Sequence, residues 1–166
     1  MPAQPEGDAP PLDGALPEDA LRRAGADTFS AYVHVPYCRV RCGYCDFNTY
    51  TADELGPGAN REDYREQLAR EIAVSERVLA DSPLADRPFD TVFFGGGTPT
   101  LLPAPVLAGV LEDLTDGFGL APGAEVTTEA NPDSVTRDSL AVLGEAGFTR
   151  VSFGMQIGRA SCRERV

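Results

Sequence analysis

The amino-acid sequence predicts an α/β fold built on a parallel sheet. Four β-prone runs alternate with three amphipathic runs of helical period, in the order β-α-β-α-β-α-β. A helical connection between successive strands makes those strands parallel and the crossovers right-handed. The chemically unusual residues follow the carboxyl ends of the strands, the rim at which parallel sheets and α/β barrels assemble their sites. Three such units fit a doubly wound sheet or part of an α/β barrel.

A cysteine-rich loop separates the first strand from the first helix. Residues 29–35 are β-prone and end at Pro36, where the loop begins. A helix is predicted from about Glu62 to Ala80, because apolar residues recur there at helical spacing with charges between them. These apolar residues are Tyr64, Leu68, Ile72 and Leu79.

The second unit contains three consecutive glycines. A strand over residues 90–94 runs directly into Gly95, Gly96 and Gly97. Pro103 then stands where a first-turn proline begins a helix. The apolar face of that helix comprises Val106, Leu107, Val110, Leu111 and Leu114.

The third unit begins with a strand over residues 125–129 that stops at Asn131-Pro132. Thr136 is the expected N-cap of a third helix that ends at Gly147. The fourth strand is predicted from Arg150 to about Gln156. Strand alternation puts its small and polar residues, Ser152, Gly154 and Gln156, inside, and turns its apolar residues, Val151, Phe153 and Met155, towards the helices.

Composition limits the class of partner and the location. The formal net charge of −12 is a poor match to a phosphate backbone, so no nucleic-acid partner is expected. No apolar run reaches the length of a transmembrane segment, and the first residues show no secretory signal. We therefore expect a cytoplasmic protein.

Three of the four cysteines, Cys38, Cys42 and Cys45, fall within eight residues. Clustering of this kind is typical of metal binding rather than of disulfide formation. A [4Fe–4S] cube held by three thiolates keeps one iron open for an exchangeable ligand. The alternatives are a zinc site completed by His34, the single histidine, or buried free thiols.

Four motifs, in order, resemble one family. They are YVHVPYCRVRCGYCDFNTY at 32–50, FFGGGTPTLL at 93–102, TTEANPDSV at 127–135 and GFTRVSFGMQ at 147–156. Together they are similar to radical S-adenosylmethionine (SAM) proteins related to oxygen-independent coproporphyrinogen III oxidase, above all to the HemW-type heme chaperones. The resemblance implies a partial (β/α)6 barrel, a [4Fe–4S] cluster on the three cysteines, and SAM as the ligand of the open iron.

The same resemblance implies the residues that contact SAM. They are Tyr32, Tyr44, Gly96, Gly97, Thr98, Glu129 and Gln156. Three of these assignments, Gly96, Gly97 and Glu129, have independent support from the residues. Glycine leaves the backbone open to close approach by a ligand, and an inward carboxylate such as Glu129 is costly unless it is bonded. For His34 the sequence favours a structural role at least as strongly as a functional one, so His34 is not among the predicted site residues.

Phe47 separates the two activities found in the family. Coproporphyrinogen oxidases typically carry a further cysteine two residues after the triad, whereas the heme chaperones carry the Asp46-Phe47-Asn48 run that is present here. The resemblance therefore implies a chaperone that binds heme as cargo and passes it to an acceptor protein, with an electron donor for the cluster. The alternatives are the radical SAM oxidase, which decarboxylates coproporphyrinogen III, and a zinc-stabilised binding module.

The chain divides into three segments by composition. Residues 1–28 are predicted to be a mostly disordered leader with a helical turn at 17–23, and residues 29–156 form the radical SAM portion. Residues 157–166 lack apolar periodicity, and we expect this tail not to be native, so that Cys162 leaves the cysteine count. The family barrel would then be truncated after its fourth strand.

Overall fold

In the computed structural model the chain forms one four-stranded sheet with helices packed on one of its faces. The structure describes residues 12, 14–24, 28–42, 45–51 and 60–154. The strands are β1 (Ser30–Val35), β2 (Phe89–Gly96), β3 (Leu120–Ala130) and β4 (Arg150–Phe153). The helices are α1 (Glu18–Arg23), α2 (Tyr64–Leu79), α3 (Ala104–Phe118) and α4 (Arg137–Glu145). Short 3₁₀ turns follow β2 at Pro99–Leu101 and β3 at Pro132–Ser134.

The sheet is wound in one direction. Its spatial order is β1-β2-β3-β4, and every neighbouring pair is parallel. A doubly wound sheet reverses its strand order partway, whereas a barrel adds each strand beside the preceding one. The parallel α/β prediction is confirmed, and the order decides for the barrel-type alternative.

The two faces of the sheet differ in chemistry. Strand residues on the helical face, such as Val35 and Phe94, are fully buried against Leu107 and Leu143. The opposite face carries Tyr32, His34, Phe93, Thr127 and Glu129. This separation follows from the alternation of side chains along each strand.

The predicted helices and strands lie within a few residues of their expected bounds, except that β3 starts earlier, and the expected end of the fourth strand at Gln156 lies outside the described residues. Thr136 caps α4 as predicted: its Oγ1 accepts from Ser139 N at 3.1 Å, and its own N–H donates to Ser139 Oγ at 2.9 Å. β3 begins at Leu120, five residues before the expected start, because the pairing register with β2 shifts between Phe89 and Thr91. Proline and glycine are tolerated in a strand at such an irregularity, so a segment that resembles a turn belongs to β3.

Phe153 lies beside the buried Ala130, as the predicted face requires, but it is less buried than expected. This side chain is 44% exposed, although alternation predicted contact with the helices. β4 pairs on one side only, with β3, among the described residues. An edge position leaves fewer neighbours to cover an apolar side chain.

The helical turn expected at 17–23 is confirmed as α1. Much of the rest of the predicted leader, and all of residues 157–166, lie outside the described residues. Within the described ranges, no helix combines the length and hydropathy of a membrane span.

Candidate functional site

A cleft of about 620 Å³ opens where the cysteine loop meets the carboxyl ends of β2, β3 and β4. It collects Cys38, Cys42 and Cys45 with most of the predicted SAM-contacting residues. Its lining is Cys38, Arg39, Val40, Cys42, Cys45, Asp46, Phe47, Gly96, Gly97, Thr98, Glu129, Ala130, Asn131, Asp133, Ser152 and Gly154. Tyr32 lies on the same face of the sheet, and Tyr44 and Gln156 fall outside the described residues.

The backbone around Cys38 is fixed by three hydrogen bonds. Cys38 N–H donates to Tyr50 O at 2.9 Å, and Tyr50 N–H donates to Pro36 O at 2.8 Å. Thr98 N–H donates to Tyr37 O at 2.7 Å, which ties the end of β2 to the same loop. The first cysteine is therefore anchored to both ends of its own loop and to the glycine segment.

Close packing against β1 and the cysteine loop requires glycine at the end of β2. A Cβ on Gly97 would lie 2.5 Å from Tyr37 O and 3.0 Å from Cys38 Sγ. Gly96 has φ +107°, and a Cβ there would lie 2.7 Å from the His34 ring. These two positions must be glycine for the cysteine loop to approach β2, whatever ligand also approaches them.

The three cysteines are half-buried free thiols. Burial raises the pKa of the Cys38 thiol, the nearby Cys45 and Cys42 add to the rise, and the Thr49 and Thr98 side chains oppose it. Cys45 N–H donates to Cys42 O at 3.0 Å, so the second and third cysteines share one tight turn. Within the described part of the chain, no group of three or more His, Cys, Asp or Glu side chains is arranged to hold a single metal ion.

The donor set nevertheless fits an iron–sulfur cluster. Three thiols that line one cleft are the ligands that iron–sulfur clusters take, and bound iron favours their deprotonated form despite burial. Thr49 Oγ1 is fully buried and finds no hydrogen-bond partner among the described residues. A buried hydroxyl of this kind can donate a hydrogen bond to a thiolate or to another bound group.

On the open face of the sheet, the charge of Glu129 acts on the phenol of Tyr32. Partial burial and then the Glu129 charge raise the pKa of the Tyr32 phenol. Asn131 Nδ2 donates to Thr98 Oγ1 at 3.2 Å, which connects the segment after β3 to the segment after β2. The strand ends thus hold a carboxylate, a hydroxyl and open glycine backbone around one space.

His34 has a structural role that the sequence left open. Its Nε2 lies 2.8 Å from Asn48 O, and its Nδ1 lies 3.2 Å from Tyr32 OH. Because a carbonyl only accepts, Nε2 carries the proton and Nδ1 accepts from the tyrosine. The ring thereby ties β1 to the far end of the cysteine loop.

The structure adds two features of the cleft to those that the sequence predicted. Arg39 Nη1 pairs with Asp133 Oδ2 at 2.9 Å, joining the cysteine loop to the segment after β3. Those residues are 94 positions apart, so no local pattern reveals the pair. Val40 and Phe47 are 55% and 62% exposed, which gives the cleft an apolar rim.

Comparison with known proteins places these features in a family. Residues 32–166 match the model of the Radical SAM superfamily. Heme chaperone HemW of Mycobacterium tuberculosis (strain ATCC 25618 / H37Rv) is 48% identical over 128 residues, 77% of this chain and 31% of that protein. The mitochondrial radical S-adenosyl methionine domain-containing protein 1 of Bos taurus is 39% identical over 132 residues, 80% of this chain and 28% of that protein.

A solved structure agrees with these relatives. Coproporphyrinogen III oxidase (HemN) from Escherichia coli, titled a radical SAM enzyme, superposes with a TM-score of 0.67 at 26% identity, over 84% of this chain and 31% of that one. The chain spans about a third of the length of the relatives it matches. With its parallel sheet, its cysteine loop and these matches, the chain belongs to the radical SAM superfamily, within the HemW/HemN-like family.

Proposed function

We propose that Cys38, Cys42 and Cys45 ligate a [4Fe–4S] cluster whose fourth iron binds SAM. The observation that carries this proposal is the single cleft in which the three free thiols face the glycine segment and Glu129. The cluster, when bound, supplies the electron for reductive cleavage of SAM. The protein itself binds, orients and shields the reactants.

The chain's own residues would divide the recognition of SAM among them. The backbone of Gly96 and Gly97 and the Thr98 hydroxyl serve the amino and carboxylate end. The Glu129 carboxylate accepts hydrogen bonds from the ribose hydroxyls or the amino group, which offsets the cost of its inward position. Tyr32, Tyr44 and Gln156 complete the set by family resemblance.

We further propose that the whole protein is a heme chaperone, which binds heme and passes it to an acceptor protein. The support is the 48% identity to a heme chaperone and the exposed apolar rim of Val40 and Phe47 beside the cleft. An apolar aromatic surface suits the plane of a porphyrin. An electron donor for the cluster and a cytoplasmic location belong to the same proposal.

The structural match to HemN favours a second candidate, an oxygen-independent coproporphyrinogen III oxidase. Phe47 argues against it, because a phenyl ring cannot serve as the thiol that the oxidases typically carry there. The family match argues against the third alternative, a zinc-stabilised module.

Heme titration beside a product assay tests the proposal on the full-length protein that carries this chain. After anaerobic reconstitution we expect about four irons and four sulfides per chain, and none in Cys42→Ala. Heme should bind stoichiometrically by absorbance, and coproporphyrinogen III should remain unconverted under reducing conditions with SAM. An authentic oxidase is the positive control for the product assay.

A matched pair of variants tests the role of the apolar rim. Phe47→Ala should weaken heme binding about tenfold, whereas Val74→Ala, at an exposed apolar position on α2, should not. Turnover of coproporphyrinogen would overturn the chaperone assignment and leave the cluster proposal intact. Stoichiometric zinc without visible absorption would overturn both.

A further inference from the structure

Arg39 and Asp133 form an ion pair that links two walls of the cleft. Arg39 Nη1 lies 2.9 Å from Asp133 Oδ2, and both side chains line the cleft that collects the three cysteines. Arg39 directly follows Cys38, the first proposed cluster ligand, whereas Asp133 lies in the 3₁₀ turn after β3. The pair therefore joins the cysteine loop (residues 36–50) to the strand ends.

The turn that carries Asp133 is held in place by hydrogen bonds. Ser134 N–H donates to Asn131 O at 2.9 Å, and Asn131 N–H donates to Ser134 Oγ at 3.1 Å, so a capping box closes the turn. Asn131 Nδ2 also donates to Thr98 Oγ1 at 3.2 Å, which ties the turn to the segment after β2. Asp133 thus offers a carboxylate at a fixed position.

The stretch of loop after Cys38 has less support from the backbone. Cys38 itself is fixed, because its N–H donates to Tyr50 O at 2.9 Å. Between residues that the structure describes, no backbone hydrogen bond involves Arg39 or Val40. The side chain of Arg39 therefore ties this stretch to the opposite wall of the cleft.

We propose that the pair of Arg39 with Asp133 is a clasp that holds the cysteine loop against the strand ends and thereby slows the loss of the cluster and of SAM from the cleft. The loop must open locally before either leaves, and this opening breaks the pair. The inference rests on the proposed cluster and SAM site. Arg39 and Asp133 act through the loop and are positioning residues, not catalytic ones.

Solvent exposure limits the size of the effect. The side chains are 63% exposed for Arg39 and 68% for Asp133. An ion pair in solvent contributes little to folding and is screened by salt. We therefore expect changes of about two- to fivefold in loop opening, with little change in the free energy of unfolding of the whole protein.

Release of iron to a chelator from the reconstituted full-length protein, followed by bleaching of its visible absorbance, tests the proposal. Arg39→Met and Asp133→Asn should each speed the release about two- to fivefold. The double variant should be no faster than either single variant, because both changes break the same contact. The matched control is Arg70→Met, which removes a similarly exposed pair with Glu66 on α2 and should release iron like wild type.

Salt and SAM give two further readouts that a general loss of stability would not explain. Raising the ionic strength should speed iron release more in wild type and in Arg70→Met than in Arg39→Met, which has no clasp to screen. The dissociation constant of SAM, titrated by electron paramagnetic resonance of the loaded protein, should rise about two- to fivefold in Arg39→Met. Urea unfolding should give the same midpoint for Arg39→Met and Arg70→Met.

Hydrogen exchange in the cluster-free protein makes one measurement independent of the cluster. Peptides that cover the cysteine loop should exchange faster in Arg39→Met than in wild type, whereas peptides from α2 should not. Equal iron release in wild type and Arg39→Met, or additive effects of the two single variants, overturns this inference but not the proposed function. Failure of the wild type to take up any cluster overturns the proposed function and this inference with it.

Discussion

Tyr64 illustrates how one side chain joins the helical layer to the sheet. It is 7% exposed, and its phenol donates to the backbone oxygen of His34 at 2.8 Å. Its ring lies edge-on to Tyr37, with ring centroids 5.8 Å apart. The first residue of α2 thereby fixes the strand that leads into the cysteine loop.

Alkaline pH should therefore weaken the fold through Tyr64. Burial, and then the negative charges of Tyr37, Glu71 and Tyr32 when ionised, raise the pKa of this phenol. Above about pH 10 the unfolded chain releases the proton while the folded chain retains it, so the free energy of unfolding falls as pH rises. Urea unfolding between pH 8 and pH 11 measures this decline.

The substitution Tyr64→Phe separates the hydrogen bond from the titration. At pH 7 it should cost about 1 kcal/mol, because His34 O loses its donor. Above pH 10 the same variant should decline less steeply than wild type, since the group that titrates is gone. Equal slopes in the two proteins would show that Tyr64 does not carry the alkaline effect.

At the scale of the secondary-structure elements, one arginine on α2 forms ion pairs with α3. Arg65 Nε and Nη2 donate to the two carboxylate oxygens of Asp113 at 2.9 and 2.7 Å, and Nη2 also reaches Glu112 at 3.1 Å. The guanidinium lies over Gly109, where a Cβ would collide with it. A bidentate pair across two helices holds its geometry better than a pair along one helix.

Arg65→Met should therefore destabilise the fold by about 1 kcal/mol. The control is Arg70→Met on the same helix, which removes an exposed pair with Glu66 one turn away. Its expected cost is less than about 0.5 kcal/mol. Urea unfolding at neutral pH compares the two variants, and equal losses would mean that the α2–α3 pair contributes no more than a surface pair.

At the scale of the whole molecule, the cleft joins segments that follow three strands and the cysteine loop. A ligand that binds the folded state alone raises its stability, by about 2.7 kcal/mol at a hundred times the dissociation constant. If SAM binds to the open iron, this gain in folding stability requires the cluster. SAM should therefore raise the melting temperature of the reconstituted protein and leave chelator-stripped protein unchanged.

Methylthioadenosine is the matched ligand for that comparison. It keeps the adenosyl group but lacks the amino and carboxylate groups proposed to chelate the iron, so its shift should be smaller than that of SAM. Thermal unfolding under anaerobic conditions measures both. If SAM raised the melting temperature of the stripped protein equally, SAM would bind through protein contacts rather than through iron.

The sequence by itself determined the features whose causes are local. Strand and helix periods, the cap at Thr136 and the spacing of Cys38, Cys42 and Cys45 are each read within one segment. The position of the motifs after the strands predicted that they would converge, and the cleft brings most of them together. The roles of the individual SAM-site residues stay predictions.

Only the tertiary structure decided the contacts between distant segments. The one-directional strand order, the early start of β3, the exposed Phe153 and the pair of Arg39 with Asp133 leave no local pattern. The same holds for Thr49, whose neighbour Tyr50 pairs with the start of the loop. The physical reason is that backbone preference and hydrophobic period act over a few residues, whereas register, edge position and hydrogen-bond partners are settled when complete elements pack against one another.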